Sequence, residues 1–158
     1  MRYIYVIVIV SMFLIGGCFG SNVEIDEDAL DRGIEPGTKK EDISLDLEHY
    51  QDITEFSWVV YQTKDPSRES LWGVGMIEVN YAFDDNNKEI RCIEYLMQGR
   101  RDKVHLFTDK LEENGFSNRK RLNDEVIMAT PDDGSRGHIL MSVGDDSKVS
   151  IVYMFPRK

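Results

Sequence analysis

The sequence predicts an α+β fold, in which a small antiparallel sheet of order β-β-β-α-β-β-β carries one main helix packed on one face. Three observations favour it. Residues 74–83 alternate between apolar and polar side chains, residues 101–114 have the apolar period of a helix, and clusters of turn-forming residues separate the remaining apolar stretches. Because hairpin-length links join antiparallel neighbours, the strands should form one sheet with the helix covering one side.

The first three predicted strands lie in the first half of the chain. Residues 56–63 (FSWVVYQT) are rich in aromatic and β-branched side chains, which favour strands. Residues 74–83 form the clearest strand, since Ile77, Val79, Tyr81 and Phe83 alternate with other residues. The Asp-Asp-Asn-Asn sequence at 84–87 predicts a turn, because Asp and Asn tolerate left-handed backbone angles. Residues 88–97 should return as the partner strand.

The segment before these strands is ambiguous. Ile43, Leu47 and Tyr50 follow a helical spacing, and residues 38–41 could form a capping box that opens a helix. Ile43, Leu45 and Leu47 also alternate, which is typical of a strand. Both interpretations place the start of the folded domain between residues 40 and 55.

The helix over 101–114 has a well-defined predicted end. Val104, Phe107 and Leu111 form one apolar face. Gly115 suits the left-handed position after the helix, and Phe116 can fold back on Leu111 in a Schellman motif. Three further strands are predicted after it, at 125–130, 138–143 and 149–155, with turns at 131–135 and 144–147.

The first residues of the chain have the pattern of an export signal. One basic residue, Arg2, precedes a thirteen-residue apolar run at 3–15, which is shorter than the roughly 20 residues of a membrane span. Ile15-Gly16-Gly17-Cys18 follows and resembles the lipobox of prokaryotic membrane lipoproteins. The resemblance covers only this leader.

The lipobox resemblance implies a chemical role for Cys18. The thiol would receive a diacylglyceryl group, cleavage would fall between Gly17 and Cys18, and two acyl chains would make a stable anchor on the extracytoplasmic face of the cell membrane. The alternatives are an uncleaved signal anchor and an ordinary secretory signal, and both would also export the domain. With Cys18 lipidated, Cys92 has no disulfide partner, and its apolar neighbours predict a buried, inert thiol.

The charge is concentrated after this leader. Residues 18–50 hold ten acidic and three basic side chains, a net of −7 within a chain of net charge −10. Few large apolar residues occur at 22–41, which predicts an acidic flexible tether. The chain is therefore divided into a signal peptide (1–17), a lipidated cysteine with tether (18–50) and a single α+β domain (51–158). Such acidity argues against a nucleic acid partner.

Few residues suggest a site. Trp72, beside Gly73 at the end of a loop, and the basic residues Arg100 and Arg101, near the start of the predicted helix, are candidates for a ligand or partner surface. Trp58 is predicted to lie in the core. The histidines (His49, His105 and His138) lie on different elements without metal-site spacing, and the acidic turns fit hairpin geometry better than a calcium loop.

The sequence contains no recognisable catalytic motif, metal site or cofactor fingerprint. We therefore expect a lipid-anchored envelope protein that acts as a binding or accessory module, with another envelope protein as one candidate partner. The alternatives are a binding module for a small anion or sugar and an envelope hydrolase without a known motif.

Overall fold

A computed structural model of the protein describes residues 23–99, 104–134, 137–144 and 148–156. Within these ranges the chain forms nine strands and one α-helix. Their bounds are β1 Leu47–Ile53, β2 Trp58–Thr63, β3 Ser70–Leu71, β4 Val74–Asp84, β5 Ile90–Gln98, α1 Val104–Glu113, β6 Asn118–Arg121, β7 Val126–Thr130, β8 His138–Val143 and β9 Lys148–Met154. Short 3-10 turns occupy Lys40–Asp42 and Pro66–Arg68.

The predicted fold class is wrong, because the sheet dominates the molecule. Eight strands form one continuous antiparallel sheet of order β1-β2-β4-β5-β9-β8-β7-β6, and β3 pairs separately with β4. The predicted small sheet, of order β-β-β-α-β-β-β, had six strands and did not include β1, β3 or β6. The central pair is β5 and β9, which are far apart in sequence and bring the two halves of the chain into one sheet.

The three missed strands have little apolar alternation. All four residues of β6 (NRKR) are exposed at the edge of the sheet, and β3 has only two residues. In β1 only Leu47 and Ile53 are partly buried, which explains why residues 43–50 were ambiguous. Backbone pairing with a neighbour creates these strands, and such pairing leaves no periodic signal in an exposed segment.

The predicted end of the helix is confirmed. Gly115 has a φ of 83°, its N–H donates to the carbonyl of Glu112 at 3.0 Å, and the N–H of Phe116 donates to the carbonyl of Leu111 at 2.9 Å. These two bonds define the Schellman motif. Phe107 and Leu111 are buried in the main core, so α1 covers part of one face of this larger sheet.

The segment before β1 packs on the same face as α1. Leu30, Ile34 and Ile43 are buried in the same core cluster as Phe107 and Leu111. Val23 forms a parallel bridge with Ile43. The expectation of a solvated tether extending to residue 50 is therefore wrong for residues 23–45, because these residues cover the sheet and bury apolar side chains.

The opposite face of the sheet carries a smaller apolar cluster. It is built from Val60, Ala82 and Cys92, with Trp58 partly buried against them. Cys92 is 8% exposed, and burial raises the pKa of its thiol to about 12. The prediction of a buried thiol is confirmed, and so high a pKa would leave almost no reactive thiolate near neutral pH. Trp58 lies in a strand as predicted but is only half-buried.

Candidate functional site

A tight hairpin turn places Trp72 beside the helix. Leu71 pairs with Val74, so Trp72 and Gly73 are the two turn residues, with φ values of 54° and 74°. Two-residue turns with positive φ at both positions match the twist of a hairpin and usually contain Asn or Gly. A bulky aromatic residue in this conformation is strained, and such strain is concentrated at functional sites.

The indole ring of Trp72 is held in place by the segment before β1. Its Nε1 donates a hydrogen bond to the carbonyl oxygen of Asp28 at 3.1 Å. The ring is partly buried and packs against the main core. The turn and this hydrogen bond together fix the orientation of the side chain.

A groove separates the β3–β4 hairpin from α1. We call it the Trp72 groove; its volume is about 430 Å³, and its lining includes Trp72, Val74, Leu106, Phe107, Asp109 and Glu113. This volume lies within the roughly 300–1,000 Å³ typical of small-molecule pockets. Leu106 is 50% exposed and adds apolar surface to the groove.

The polar groups that line the Trp72 groove, within the described part of the chain, are mainly hydrogen-bond acceptors. Asp109 and Glu113 supply carboxylates, and Gln98 supplies an amide. Among the described lining residues Lys110 is the cation, and its Nζ donates to Glu113 at 2.6 Å. An apolar surface bordered by acceptors suits a ligand that carries both C–H surface and hydroxyl donors.

Of the sequence-predicted surface residues, Trp72 lies in this groove. Arg100 and Arg101 lie outside the described residues, although Gly99, their neighbour in sequence, lines the groove. Gly17 and Cys18, with the rest of the lipobox, also lie outside the described residues. None of the helices in the described ranges combines the length and the apolar composition needed to cross a membrane.

The histidines do not converge. His49 is exposed on β1 and its Nε2 lies 2.9 Å from Asp52 Oδ1, while His105 and His138 are exposed on α1 and β8. No group of metal-ligating side chains occurs among the described residues. In the turn at 84–87, Asp84 Oδ1 accepts backbone N–H bonds from Asn86 and Asn87. These bonds, led by that from Asn87, lower the pKa of Asp84 and indicate a structural role.

A second pocket contains a buried arginine that the sequence did not indicate. Arg32 is 0% exposed, and its Nη2 donates to Glu69 Oε2 at 2.8 Å. The guanidinium lies 5.3 Å from the ring centroid of Tyr95, whose hydroxyl donates to the carbonyl of Leu30 at 2.7 Å. In the sequence, Arg32 is a basic residue before Gly33 in an acidic stretch, and nothing in that pattern indicates that it is buried.

The Arg32 pocket has a volume of about 440 Å³, and its lining includes Ile25, Arg32, Leu45, Asp46, Thr63 and Glu69. Burial raises the pKa of Glu69, and the positive charge of Arg32 opposes that rise. The main-chain φ of Arg32 is 57°, a left-handed conformation that costs about 1 kcal/mol or more for a residue with a Cβ. The fold maintains this strain together with the buried charge.

No protein-family model, curated protein or solved structure matches this chain. The two pockets share one element of the fold. Both lie beside the β3–β4 hairpin: Trp72 of its turn lines the Trp72 groove, and Glu69, which precedes β3, lines the Arg32 pocket. The segment before β1 supports both, through Asp28 and through Arg32.

Proposed function

We propose that this chain is a lipid-anchored protein of the cell envelope that binds a small neutral ligand of the sugar class in the Trp72 groove. The observation that carries the proposal is Trp72 itself. A strained turn and a hydrogen bond to the Asp28 carbonyl hold its ring at the groove. The proposal narrows the broader expectation of a binding or accessory module.

The chemistry of the Trp72 groove supports a sugar over an anion. Indole offers an apolar face with a polar edge, and Leu106 extends the apolar surface. The carboxylates of Asp109 and Glu113 accept hydrogen bonds from hydroxyl groups, and that of Asp109 repels anions, whereas Lys110 balances the charge of Glu113. A net charge of −10 for the whole chain acts in the same direction.

Fluorescence tests this proposal directly. Trp58→Phe leaves Trp72 as the remaining one of two tryptophans, so its emission reports the groove alone. We expect saturable emission changes with a neutral oligosaccharide, using maltotriose and chitotriose as probes. Asp109→Asn should weaken binding by about tenfold or more, because a hydrogen bond to a charged acceptor is worth about 1.5–3 kcal/mol.

Two controls accompany the titration. Glu48→Gln removes an exposed carboxylate on β1, outside the groove, and should leave the affinity unchanged. Trp72→Asn should preserve the hairpin, because Asn tolerates positive φ, while abolishing binding measured by calorimetry. No emission change with either probe, or equal affinities for the Asp109→Asn and parent proteins, would contradict the proposal.

The proposed lipid anchor is inferred from the lipobox resemblance at residues 15–18. Val23 is already part of the folded domain, so five residue steps separate it from Cys18. At most about 3.6 Å per residue, these steps span about 18 Å, which would hold the domain close to the membrane surface. The proposed link between the lipid anchor and the folded domain is therefore short, in place of the long tether expected from the sequence.

Mass spectrometry of the membrane-extracted protein tests the anchor. We expect Cys18 as the first residue, with a diacylglyceryl group on its sulfur. Cys18→Ala should leave the leader uncleaved or release the domain from the membrane fraction. An intact Met1 in the parent protein would instead indicate a signal anchor, and an unmodified Cys18 would show that the exported domain lacks this lipid.

A further inference from the structure

Buried polar groups at the Arg32 pocket, and one close behind it, lack well-placed partners. Among the described residues, Arg32 Nε and Nη1, Thr63 Oγ1 and the Tyr81 hydroxyl make no hydrogen bond of good geometry, although the Glu69 carboxylate lies near Thr63 and the Tyr95 hydroxyl lies near the guanidinium. Arg32 and Tyr81 are 0% exposed and Thr63 is 5% exposed, so bulk water does not solvate them freely. Buried polar groups without partners are rare in folded proteins and cost about 1–3 kcal/mol each.

All of these groups can donate a hydrogen bond. A guanidinium has five N–H donors and no acceptor, and the hydroxyls of Thr63 and Tyr81 donate as well. The single good hydrogen bond of the Arg32 side chain goes to Glu69. The cluster has more donors than well-placed acceptor oxygens, and Arg32 and Thr63 both line the open pocket through which a ligand could supply further acceptors.

We propose that the Arg32 pocket is a second binding site, which takes a small molecule through its carboxylate. Arg32 and Thr63 line the floor of the pocket, and a small side-chain rotation would bring their buried donors to the carboxylate oxygens. Charge-assisted hydrogen bonds from a guanidinium are stronger than neutral ones and gain further in a poorly solvated site. This site is independent of the sugar site proposed for the Trp72 groove.

The rest of the pocket selects the class of carboxylate. The rim carries three carboxylates (Glu27, Asp46 and Asp65) and two cations (Lys64 and Arg68), so its charge is net negative. The Lys64–Asp46 and Arg68–Asp65 ion pairs, each 2.8 Å long, are exposed, and pairs of this kind open at little cost. A ligand that also carries an ammonium group would be favoured there.

The apolar wall completes the selection. Ile25 and Leu45 line the same pocket, and both are partly buried against the main core. An aliphatic side chain of similar size would pack against them. The ligand class is therefore an aliphatic amino acid in its zwitterionic form, with its carboxylate on Arg32 and its ammonium group at the rim.

Calorimetry with three matched probes tests each part of this inference. L-Leucine carries both charges, 4-methylpentanoate lacks the ammonium group, and leucinamide lacks the carboxylate. At pH 7 we expect saturable binding of L-leucine, binding of 4-methylpentanoate weaker by about tenfold, and no binding of leucinamide. Equal binding of L-leucine and leucinamide, or no binding of either carboxylate, would overturn the proposal. Equal affinities for L-leucine and 4-methylpentanoate would show that the rim does not bind the ammonium group, which would overturn that part of the proposal.

Variants locate the binding. Thr63→Val keeps the side-chain shape and removes the hydroxyl, and Arg32→Lys keeps the charge and removes the guanidinium. Each should weaken L-leucine binding by about tenfold or more, with folding verified by circular dichroism. Arg91→Lys is the matched control: Arg91 is paired with Asp84 at 3.3 Å, its side chain is 16% exposed, and it lies outside the pocket.

The variants also distinguish the two sites. L-Leucine binding that survives in Thr63→Val at full affinity would overturn this site, even if Arg32→Lys does not fold. Asp109→Asn should not change L-leucine binding, because Asp109 belongs to the Trp72 groove. If ordered water molecules already satisfy the donors of the cluster, L-leucine should show no saturable binding. That result would also overturn the proposed site.

Discussion

Arg32→Met is expected to lower the free energy of unfolding by about 3 kcal/mol, because it leaves the Glu69 carboxylate without its partner in a poorly solvated site. The pair is well placed for such an effect: the Arg32 side chain is 0% exposed and that of Glu69 is 12% exposed. The guanidinium also packs over Tyr95. Urea denaturation at pH 7 measures the change. The exposed pair Lys64–Asp46 supplies the comparison, since Lys64→Ala should cost less than about 1 kcal/mol.

The pH dependence of this loss follows from the burial of Glu69. In the parent protein, burial raises the pKa of Glu69 above its ordinary value of 4.5. A raised pKa in the folded state means that Glu69 contributes most stability below 4.5 and that this contribution is lost as the pH rises through the folded-state pKa. Without Arg32 the pKa rises further, so the destabilisation caused by Arg32→Met should be larger at pH 8 than at pH 5.

A second substitution separates charge from packing. The double variant Arg32→Met with Glu69→Leu should recover most of the lost stability, because apolar side chains can replace a buried ion pair. A loss that is independent of pH and that persists in the double variant would show that packing over Tyr95, and not the charge of Glu69, is responsible.

Gly137→Ala is expected to destabilise the protein by about 3 kcal/mol, near the upper end of typical overpacking costs. A Cβ at this position would lie 1.7 Å from the backbone oxygen of Met154, and no flexible side chain can yield there. The strands β8 and β9 would have to separate where His138 pairs with Met154. Thermal unfolding followed by circular dichroism measures the effect.

Gly75→Ala is the matched control for this substitution. Gly75 also belongs to the sheet, in β4, but a Cβ there meets no atom within 4 Å and its φ is not positive. Alanine at this position should change the stability by less than about 0.5 kcal/mol. Equal losses for the two alanine variants would mean that the contact with Met154 does not limit the packing of β8 on β9.

The accuracy of the sequence predictions varied with the kind of signal. The end of α1 was correct in detail, because Gly115 and Phe116 satisfy a motif contained within six residues. The strands β4 and β9 were found because their apolar alternation faces a buried core. Trp72 was a candidate because of its position beside Gly73; it lies in the groove next to α1, and its binding role stays a prediction.

The Arg32 pocket could not be predicted in the same way. Arg32 lies in an acidic segment that resembles a solvated linker, and its partner Glu69 is 37 residues away. The carbonyl of Leu30 meets the Tyr95 hydroxyl across 65 residues. The amino-acid composition of a segment describes only that segment, so an acidic segment is predicted to be solvated. Here, contacts with residues distant in the sequence bury part of it.

The sequence by itself determined the features that depend on neighbouring residues: the helix and its Schellman end, the main apolar strands, the turn at 84–87 and the negative charge. The tertiary structure alone decided that β6, with four exposed polar residues, belongs to the sheet. It alone also decided that the acidic segment at 23–45 covers one face of the sheet. The physical reason is that backbone pairing and burial are set by partners distant in the chain. A local pattern records the preference of a segment but not the surface that it meets.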